Sequence, residues 1–507
     1  MENFINFILA LCSIIWLIFA LVILKKEAYL ASFGAFIVTC CIALCVFDMS
    51  PYDLILSSCE GIAMALWPIV IVIIAAVFTY NLTVHSKSMN VIKKMLTSVS
   101  DDIRILVLLI GWCFGGFLEG MAGFGTAIAI PASILYGLGL NPITSILVCL
   151  IANSTPTPFG SIGIPNVTLA NLVGLEVTTL SFAYAIQSLL FIIISPFLMI
   201  VITGKSIKCL KGLVPITLVS ALSFAIPILL VSYFVGAELP VIVASVTSLI
   251  STFIFAYFSK NKTPDEFKVN IQNDNEKISI KQAFKAWSSF ILIFVLLLST
   301  SKLVPFIHEP LSSIKTTIKF YDNYTFTWIN TPGVLIFISA IIGGIIQGCK
   351  FKDFILVFIN TIKQMSKTIL TMIFVLSSAK IMGYSGMVSA ISLFFVTTLS
   401  NYYPLVAPLL GCLGTFVTGS GTSSSVLFGY VQYEAANAIN TNPYWLVAAN
   451  SLGVAAGKMI SPQSIAIGCA AVGLNGKDGE ILSKIIKITI FFLILMALIV
   501  YFGLYFY

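Results

Sequence analysis

The sequence predicts an all-α polytopic membrane protein, and three features support that fold class. Hydrophobic residues make up 59% of the 507 residues and charged residues only 9%, with a mean hydropathy of +1.06. Soluble globular domains have about half apolar and a quarter charged residues. Apolar runs long enough to cross ~30 Å of hydrocarbon recur along the whole chain. Two further intervals are apolar but interrupted by Gly, Pro, Ser, Thr and Asn.

About twelve apolar runs are predicted to span the membrane, and the two interrupted intervals are predicted to form re-entrant or broken helices. The first run lacks the basic flank and the cleavage site of a signal peptide, so we expect it to be retained. The interrupted intervals are 121–176 and 418–475. The predicted spans are 5–24, 28–47, 62–84, 104–120, 178–203, 212–235, 238–258, 286–306, 331–349, 368–384, 403–417 and 482–506.

Lysine clusters between the runs orient the predicted spans. Lys25 and Lys26 follow the first run, and the polar interval 259–285 carries six lysines. The positive-inside rule puts these clusters in the cytoplasm, which predicts an extracellular N-terminus and C-terminus. Loop lysines also explain the net charge of +7 without a nucleic-acid partner. The predicted exterior turns are 48–53, 237–238, 307–330 and 385–402.

Two halves of the chain repeat each other on either side of the polar interval. The sequence GFGT at 123–126 corresponds to GSGT at 419–422, and Asn-Ser at 153–154 corresponds to Asn-Ser at 450–451. The lysine clusters give equivalent spans opposite directions, so the repeat is predicted to be inverted. Inverted halves with interrupted segments at matching positions indicate a secondary transporter whose substrate site lies near the membrane midplane.

This repeat divides the chain into six predicted regions. They are N-terminal spans 1–50, a first repeat 51–205, connecting spans 206–258, a cytoplasmic linker 259–285, connecting spans 286–350 and a second repeat 351–507.

Four stretches of the sequence resemble the L-lactate permease family. They are FLEGMAGFGTAIAIPASILYGLG, CLIANSTPTPFGSIGIP, TFVTGSGTSSSVLFG and LVAANSLGVAAGKMISPQSIAIGCAAVGLNGK. The resemblance implies a bacterial plasma-membrane protein that imports L-lactate, and related 2-hydroxy acids such as glycolate, together with a proton. This chain has NSTPTPFG where the family pattern is NTAPVAFG, so the exact substrate stays open. Another small carboxylate, sodium coupling and an anion channel are the alternatives.

Candidate substrate ligands lie in the two glycine motifs and at the paired asparagines. Helix N-termini offer free N–H groups and a positive dipole end to a carboxylate, and glycines let a ligand approach the backbone. An amide can donate to a carboxylate and accept from a hydroxyl, and each asparagine precedes a stretch expected to break its helix. Close helix packing and a structural role for the amides are the alternative interpretations. The candidates are Gly123, Gly125, Thr126, Asn153, Ser154, Gly419, Ser420, Gly421, Thr422, Ser423, Ser424, Asn450 and Ser451.

Two charged residues and one amide within apolar sequence complete the predicted site. Lys458 aligns with Ser161 in the repeat, so its charge is not expected to belong to a symmetric framework. It could pair with the substrate carboxylate or with Glu119, or snorkel to the cytoplasmic edge. Gln463 is a further polar candidate. Glu119 is predicted to carry the coupled proton, because low-dielectric surroundings favour the neutral form of a carboxyl.

The alternative for Glu119 is a carboxylate fixed by Lys458, Lys380 or backbone donors. Glu60 is a weaker acidic candidate, expected near the outer interface, and Lys380 is expected to snorkel. With two histidines and no CxxC, the sequence predicts no metal, no cofactor and no enzyme. It does not predict the oligomeric state.

Overall fold

The structure is a computed structural model that describes residues 2–24, 26–123, 125–258, 263–269, 278–301, 303–474 and 477–506. Lys25, Phe124 and two parts of the predicted linker, 259–262 and 270–277, lie outside the described residues.

Helices make up nearly all of the described chain. Its first part contains α1 (Glu2–Ile18), α2 (Ala28–Cys45), α3 (Pro51–Met64), α4 (Ile71–His85), α5 (Ser88–Thr97), α6 (Ile103–Leu106), α7 (Gly115–Met121), α8 (Thr126–Gly137), α9 (Pro142–Ser154) and α10 (Gly160–Val173). Its middle contains α11 (Val177–Gly204), α12 (Val214–Phe234), α13 (Pro240–Phe258), α14 (Ile280–Ser299), α15 (Pro305–Ser313), strands β1 (Lys315–Lys319) and β2 (Asn323–Thr327), and α16 (Pro332–Gln347).

The last part is helical throughout. It contains α17 (Phe351–Tyr384), α18 (Met387–Leu399), α19 (Tyr403–Thr418), α20 (Gly421–Ala438), α21 (Pro443–Ile460), α22 (Pro462–Ala471) and α23 (Asp478–Gly503). Short π-helical segments are Phe19–Ile23, Ala65–Val70 and Val107–Phe114, and short 3₁₀ segments are Thr157–Phe159, Ile207–Leu210, Asp265–Phe267 and Ser400–Tyr402.

Each predicted span overlaps one of these helices, which confirms the predicted fold class. Among the described residues, ten helices are long and apolar enough to cross a membrane, or eleven if the bent pair α9 and Thr157–Val173 counts as one. Two predicted spans correspond to shorter apolar helices, Phe4–Leu17 and Pro332–Gln347. A total of about twelve spans therefore stays a prediction.

Two local expectations are wrong. The interval 307–330, expected to be a turn, contains β1 and β2 paired as an antiparallel hairpin. Thr, Ile, Tyr and Phe are concentrated in these strands, and such residues favour extended backbone. The same interval holds α15. The turn expected over 385–402 contains the apolar helix α18, which together with α19 makes up one candidate span, Met387–Thr418.

The corresponding helices α9 and α21 begin with the same signals in both halves. The Asn141 side chain accepts hydrogen bonds from the first backbone N–H groups of α9, and Asn442 does the same for α21. A proline follows each asparagine at the first helical position, where its missing N–H costs nothing.

The long helices of the two halves lie side by side and run antiparallel. Glu60 of α3 contacts Lys380 near the end of α17, at 2.8 Å. The Asn81 side chain of α4 donates to the Thr361 hydroxyl near the start of α17, at 3.0 Å. Residue numbers rise along one helix as they fall along its partner, so the helices point in opposite directions.

The broken helices lie at the centre of the molecule. In the span Ile103–Met121, 94% of the residues are buried, whereas only 28% of α2 is buried. Every residue of α21 from Trp445 to Ile460 is buried. The helices that carry the predicted motifs therefore form the protein interior, and helices such as α2 expose apolar side chains at the periphery.

Candidate functional site

A cavity of about 720 Å³ is lined by both glycine motifs. The first half of the chain contributes residues from α1, α2, α7, α10, the turn before α8 and the break after α9. The second half contributes residues from α17, the end of α19, the start of α20, α22 and Lys458 of α21. The predicted site residues that line it are Glu119, Gly125, Gly419, Ser420, Gly421, Thr422, Ser423, Lys458 and Gln463. Much of the predicted site is thus brought together around one space.

The cavity reaches the surface beside the N-terminus of α2. Its exposed lining residues are Glu27, Lys367, Pro462 and Gln463. Glu27 and Lys367 form an ion pair of 2.5 Å with more than half of each side chain exposed. A charged mouth therefore leads to a buried interior.

The first glycine motif forms a sharp turn between α7 and α8. Gly123 and Gly125 have φ of +60° and +87°, a conformation that glycine adopts without the strain of a side chain. The Thr126 hydroxyl donates to the Gly123 carbonyl at 2.8 Å, where α8 begins. A Cβ atom at Gly125 would lie 2.5 Å from Cδ1 of Ile467 in α22. Gly125 therefore serves close packing as well as cavity access.

The second glycine motif presents a helix N-terminus to the cavity. Gly419 ends α19 with φ +70°, and the Ser420 hydroxyl accepts a hydrogen bond from the Ser423 N–H as the cap of α20. Gly421, Thr422 and Ser423, the first residues of α20, line the cavity. The free N–H groups and positive dipole end of this 18-residue helix suit an anion.

Glu119 lies in the wall of the cavity and is 4% exposed. Its Oε2 atom has no hydrogen-bond partner among the described residues. A Cβ atom at Gly160 would lie 2.6 Å from Glu119 Oε1, so the acid packs directly on that glycine. Lys458 acts on Glu119 electrostatically. The carboxyl group is thus buried, close to a cation, and incompletely hydrogen-bonded.

Lys458 is 7% exposed, and its Nζ donates to the Gly419 carbonyl at 3.0 Å. This contact places the ammonium at the C-terminus of α19, where the helix dipole favours a positive charge. The aligned Ser161 makes a matching contact, since its hydroxyl donates to the Ala122 carbonyl at the end of α7 at 2.9 Å. The two contacts therefore correspond in the two halves, whereas the charge of Lys458 has no counterpart at Ser161.

The paired asparagines are buried away from the cavity lining. Among the described residues, neither Oδ1 nor Nδ2 of Asn153 or Asn450 has a hydrogen-bond partner. Asn153 lies in the last turn of α9, before a break, as expected. Asn450 lies in mid-helix, because α21 continues to Ile460 and the break falls at Ser461. The expectation of a break soon after Asn450 is wrong.

The other predicted residues outside the lining are Gly123, Thr126, Ser154, Ser424 and Ser451. The hydroxyls of the three serines make structural contacts. Ser154 donates to Ile151 O of its own helix, Ser424 donates to Gly411 O, and Ser451 donates to Asn166 Oδ1, at 2.8 Å in each case.

Sequence reasoning missed a wall of the cavity that α17 provides. Thr368, Thr371, Met372 and Val375 line the cavity at i, i+3, i+4 and i+7. That spacing marks one face of a helix and was visible in the sequence. It did not indicate a cavity, because the same pattern also describes ordinary helix packing. Thr157, Gly160 and Ser161, in the break after α9, were missed as well.

A second acid and lysine lie outside the cavity lining, and the expectation that Lys380 snorkels is wrong. Glu60 is 2% exposed, and the mostly buried Lys380 side chain contacts it at 2.8 Å. The Tyr384 hydroxyl donates to Glu60 Oε1 at 2.8 Å, and the Asp322 N–H, from the turn of the hairpin, donates to Oε2 at 3.0 Å. The pairing of Lys380 with Glu60 leaves Lys458 as the lysine beside Glu119.

Comparisons with known proteins agree on one family. The family model for L-lactate permease matches residues 6–507. An L-lactate permease of Streptococcus iniae is 42% identical over 449 residues, covering 87% of this chain and 93% of that protein. The glycolate permease GlcA of Escherichia coli strain K12 is 33% identical over 527 residues, covering 96% and 93%. The solved structure of MtrF from Neisseria gonorrhoeae aligns with a TM-score of 0.50 at 13% identity, over 89% of this chain and 84% of that one, a likeness of fold alone.

Proposed function

Because the chain belongs to the L-lactate permease family, we propose that it is a secondary transporter that imports L-lactate and related 2-hydroxy acids, such as glycolate, with a proton. One observation carries this proposal. A single cavity combines an anion-binding helix terminus, a buried lysine and a buried acid that lacks a full set of hydrogen bonds.

The substrate carboxylate would bind between Lys458 and the N-terminus of α20. Lys458 supplies a charge-assisted hydrogen bond, and the N–H groups of Gly421 and Thr422 supply neutral ones. The substrate hydroxyl can exchange hydrogen bonds with the side chains of Thr422, Ser423 and Gln463, which line the same space. The other predicted residues, the asparagines among them, would support this site from outside the lining.

Glu119 would carry the coupled proton. Protonation removes a negative charge next to the place where an anion must bind. Loss of the proton restores the attraction between Glu119 and Lys458, which competes with the substrate carboxylate for the lysine. Proton and substrate would therefore load together and leave together.

Alternating access between inverted halves would move the substrate. The antiparallel pairing of α3–α4 with α17 supports this proposal, as do the matching contacts of Ser161 and Lys458. With the lysine clusters in the cytoplasm, the mouth at Glu27 and Lys367 faces inward and both chain termini lie outside. The Glu60–Lys380 pair and the hairpin would then close the outer side.

Uptake by the purified protein in lipid vesicles tests this function. With an inward proton gradient, radiolabelled L-lactate should accumulate above its external concentration, saturate, and compete with glycolate. A sodium gradient alone should not drive accumulation. If no short 2-hydroxy acid responds to the proton gradient, the proposal is wrong. Flux that neither saturates nor supports exchange of labelled for unlabelled substrate would indicate a channel.

A further inference from the structure

A left-handed turn occupies the start of α10, beside the proposed proton site. Ser161, Ile162 and Gly163 have φ of +46°, +58° and +74° in succession. Positive φ is unfavourable for a serine and more so for a β-branched isoleucine. Such conformations persist where the surroundings enforce them, and they concentrate at functional sites. The backbone at Gly163 packs closely on Ala237, because a Cβ atom added at Gly163 would lie 2.3 Å from the Ala237 carbonyl oxygen.

The turn packs directly on the carboxyl group of Glu119. Gly160 lies against Oε1, and the next residue, Ser161, donates its hydroxyl to the Ala122 carbonyl on the helix that carries Glu119. The position that a Cβ atom would take at Gly123 lies 2.3 Å from Ser161 Oγ and 3.7 Å from Glu119 Oε1. The hydroxyl and the carboxyl group therefore border the same small gap, which stays open because residue 123 is a glycine.

We propose that Ser161 is a positioning residue for the coupled proton. While Glu119 is protonated, the Ser161 hydroxyl donates to Ala122. When Glu119 releases its proton to the cavity, the hydroxyl rotates across the gap above Gly123 and donates to the carboxylate. This inference rests on the proposed role of Glu119 and adds a hydrogen-bond switch that links its charge to the start of α10.

Few of the elements around Glu119 carry charged groups. Lys458 lines the same cavity, and Glu27 and Lys367 lie at its mouth. The described segments α8, α9, α10, α13, Val107–Phe114 and Thr157–Phe159 pack against α7 and carry no charged residue; their titratable side chains are two cysteines, Tyr136 and Tyr257. Aromatic rings of α14 also contact Phe117 of α7, and the two lysines of α14, Lys281 and Lys285, are exposed near its start.

The proposed switch at Ser161 has a counterpart in the other half, where Lys458 makes the matching contact. Ser161 holds the end of α7, and Lys458 holds the end of α19. Loss of a proton from Glu119 would draw Ser161 away, and arrival of a carboxylate would draw Lys458 away. Each half would thus respond to one of the two transported species.

The pH dependence of lactate uptake in lipid vesicles tests the proposal, with Ser161→Ala and Ser161→Gly as variants. Both remove the hydrogen bond that stabilises ionised Glu119, so the pH at which uptake falls to half should rise by about one unit. Glycine suits the positive φ of this position, so Ser161→Gly separates loss of the hydroxyl from backbone strain. Ser161→Asn retains a donor and tolerates positive φ, and should stay closer to the wild type.

Ser32→Ala is the matched control, because Ser32 is another buried serine of the cavity lining, on α2. It should leave the half-maximal pH unchanged. The positioning role is wrong if Ser161→Gly transports lactate with the wild-type pH profile. It is also wrong if Ser161→Gly shifts the profile equally in a Glu119→Gln background. Absence of proton-driven uptake in the wild type would instead overturn the proposed function.

Discussion

Two acid–lysine sets lie in the helical interior, each with a buried glutamate, and they differ in how completely their polar atoms are hydrogen-bonded. Glu60 receives hydrogen bonds from Lys380, Tyr384 and the Asp322 N–H, at 2.8 to 3.0 Å. Glu119 has an Oε2 atom without a partner among the described residues, and Lys458 donates to a backbone carbonyl instead. The first set lies between two long helices and the hairpin, and the second lines the cavity.

We propose that this difference separates a structural acid, Glu60, from a functional one, Glu119. A buried carboxylate with a full set of partners holds the surrounding helices in place, and removal of one partner leaves a costly unpaired charge. A buried acid without a full set of hydrogen-bond partners lowers the stability of the fold. In membrane proteins, such groups mark ion and substrate pathways. The two sets should therefore respond differently to substitution.

The largest expected effect is a loss of fold stability on substitution of Glu60, whose carboxylate has a full set of hydrogen-bond partners. Glu60→Gln leaves Lys380 buried without a counter-charge and should destabilise the fold by about 3–5 kcal/mol. The measurement is the thermal unfolding temperature in detergent. The double variant with Lys380→Met should recover most of the loss. Glu480→Gln, in an exposed i,i+4 pair with Lys484, is the control and should leave the unfolding temperature nearly unchanged. Equal unfolding temperatures for Glu60→Gln and the control would refute the structural role.

For Glu119 and Lys458, which line the cavity, the expected effect of substitution is on substrate binding. Lys458→Met removes a charge-assisted hydrogen bond to the substrate carboxylate, worth about 1.5–3 kcal/mol, and should raise the Michaelis constant for lactate about 10- to 100-fold. Lys458→Arg keeps the charge and should lose less. Lys367→Met, at the exposed mouth, is the matched control and should change the constant less than Lys458→Met. A Michaelis constant unaffected by Lys458→Met would show that this lysine only caps α19.

The smallest expected effect concerns a predicted ligand that the structure places outside the cavity lining. Ser154 donates to the carbonyl of Ile151 in its own helix. Ser154→Ala should therefore change the Michaelis constant for lactate by less than about twofold, since such a neutral hydrogen bond contributes little net free energy. Kinetics of uptake in the same vesicles measure it. A tenfold increase would mean that the α9 break joins the binding site in another state of the protein.

Patterns along the chain were enough to predict the fold class and part of the lining of the cavity. The apolar runs predicted the helices, and the interrupted segments at 121–176 and 418–475 predicted where backbone would meet a cavity. Gly419, Lys458 and Glu119 were found because glycine and charge are conspicuous in apolar sequence. All three line the cavity.

Contacts between distant positions could not be predicted in the same way. Nothing near Lys380 in the sequence indicates that Glu60, 320 residues earlier, is its partner. Asn450 resembles Asn153 in its local sequence, yet its helix continues for ten more residues because the next proline along the chain is Pro462. The rotation that turns a side chain toward a cavity or into a helix interface depends on tertiary packing.

The central claim is that the incompletely bonded acid, rather than the satisfied one, carries the coupled proton. The most direct test measures lactate accumulation driven by a proton gradient, and gradient-free exchange of labelled for unlabelled lactate, in Glu119→Gln and Glu60→Gln vesicles. We expect Glu119→Gln to lose accumulation and keep exchange, and the folded fraction of Glu60→Gln to keep both. Concentrative, proton-driven uptake by Glu119→Gln would contradict the account.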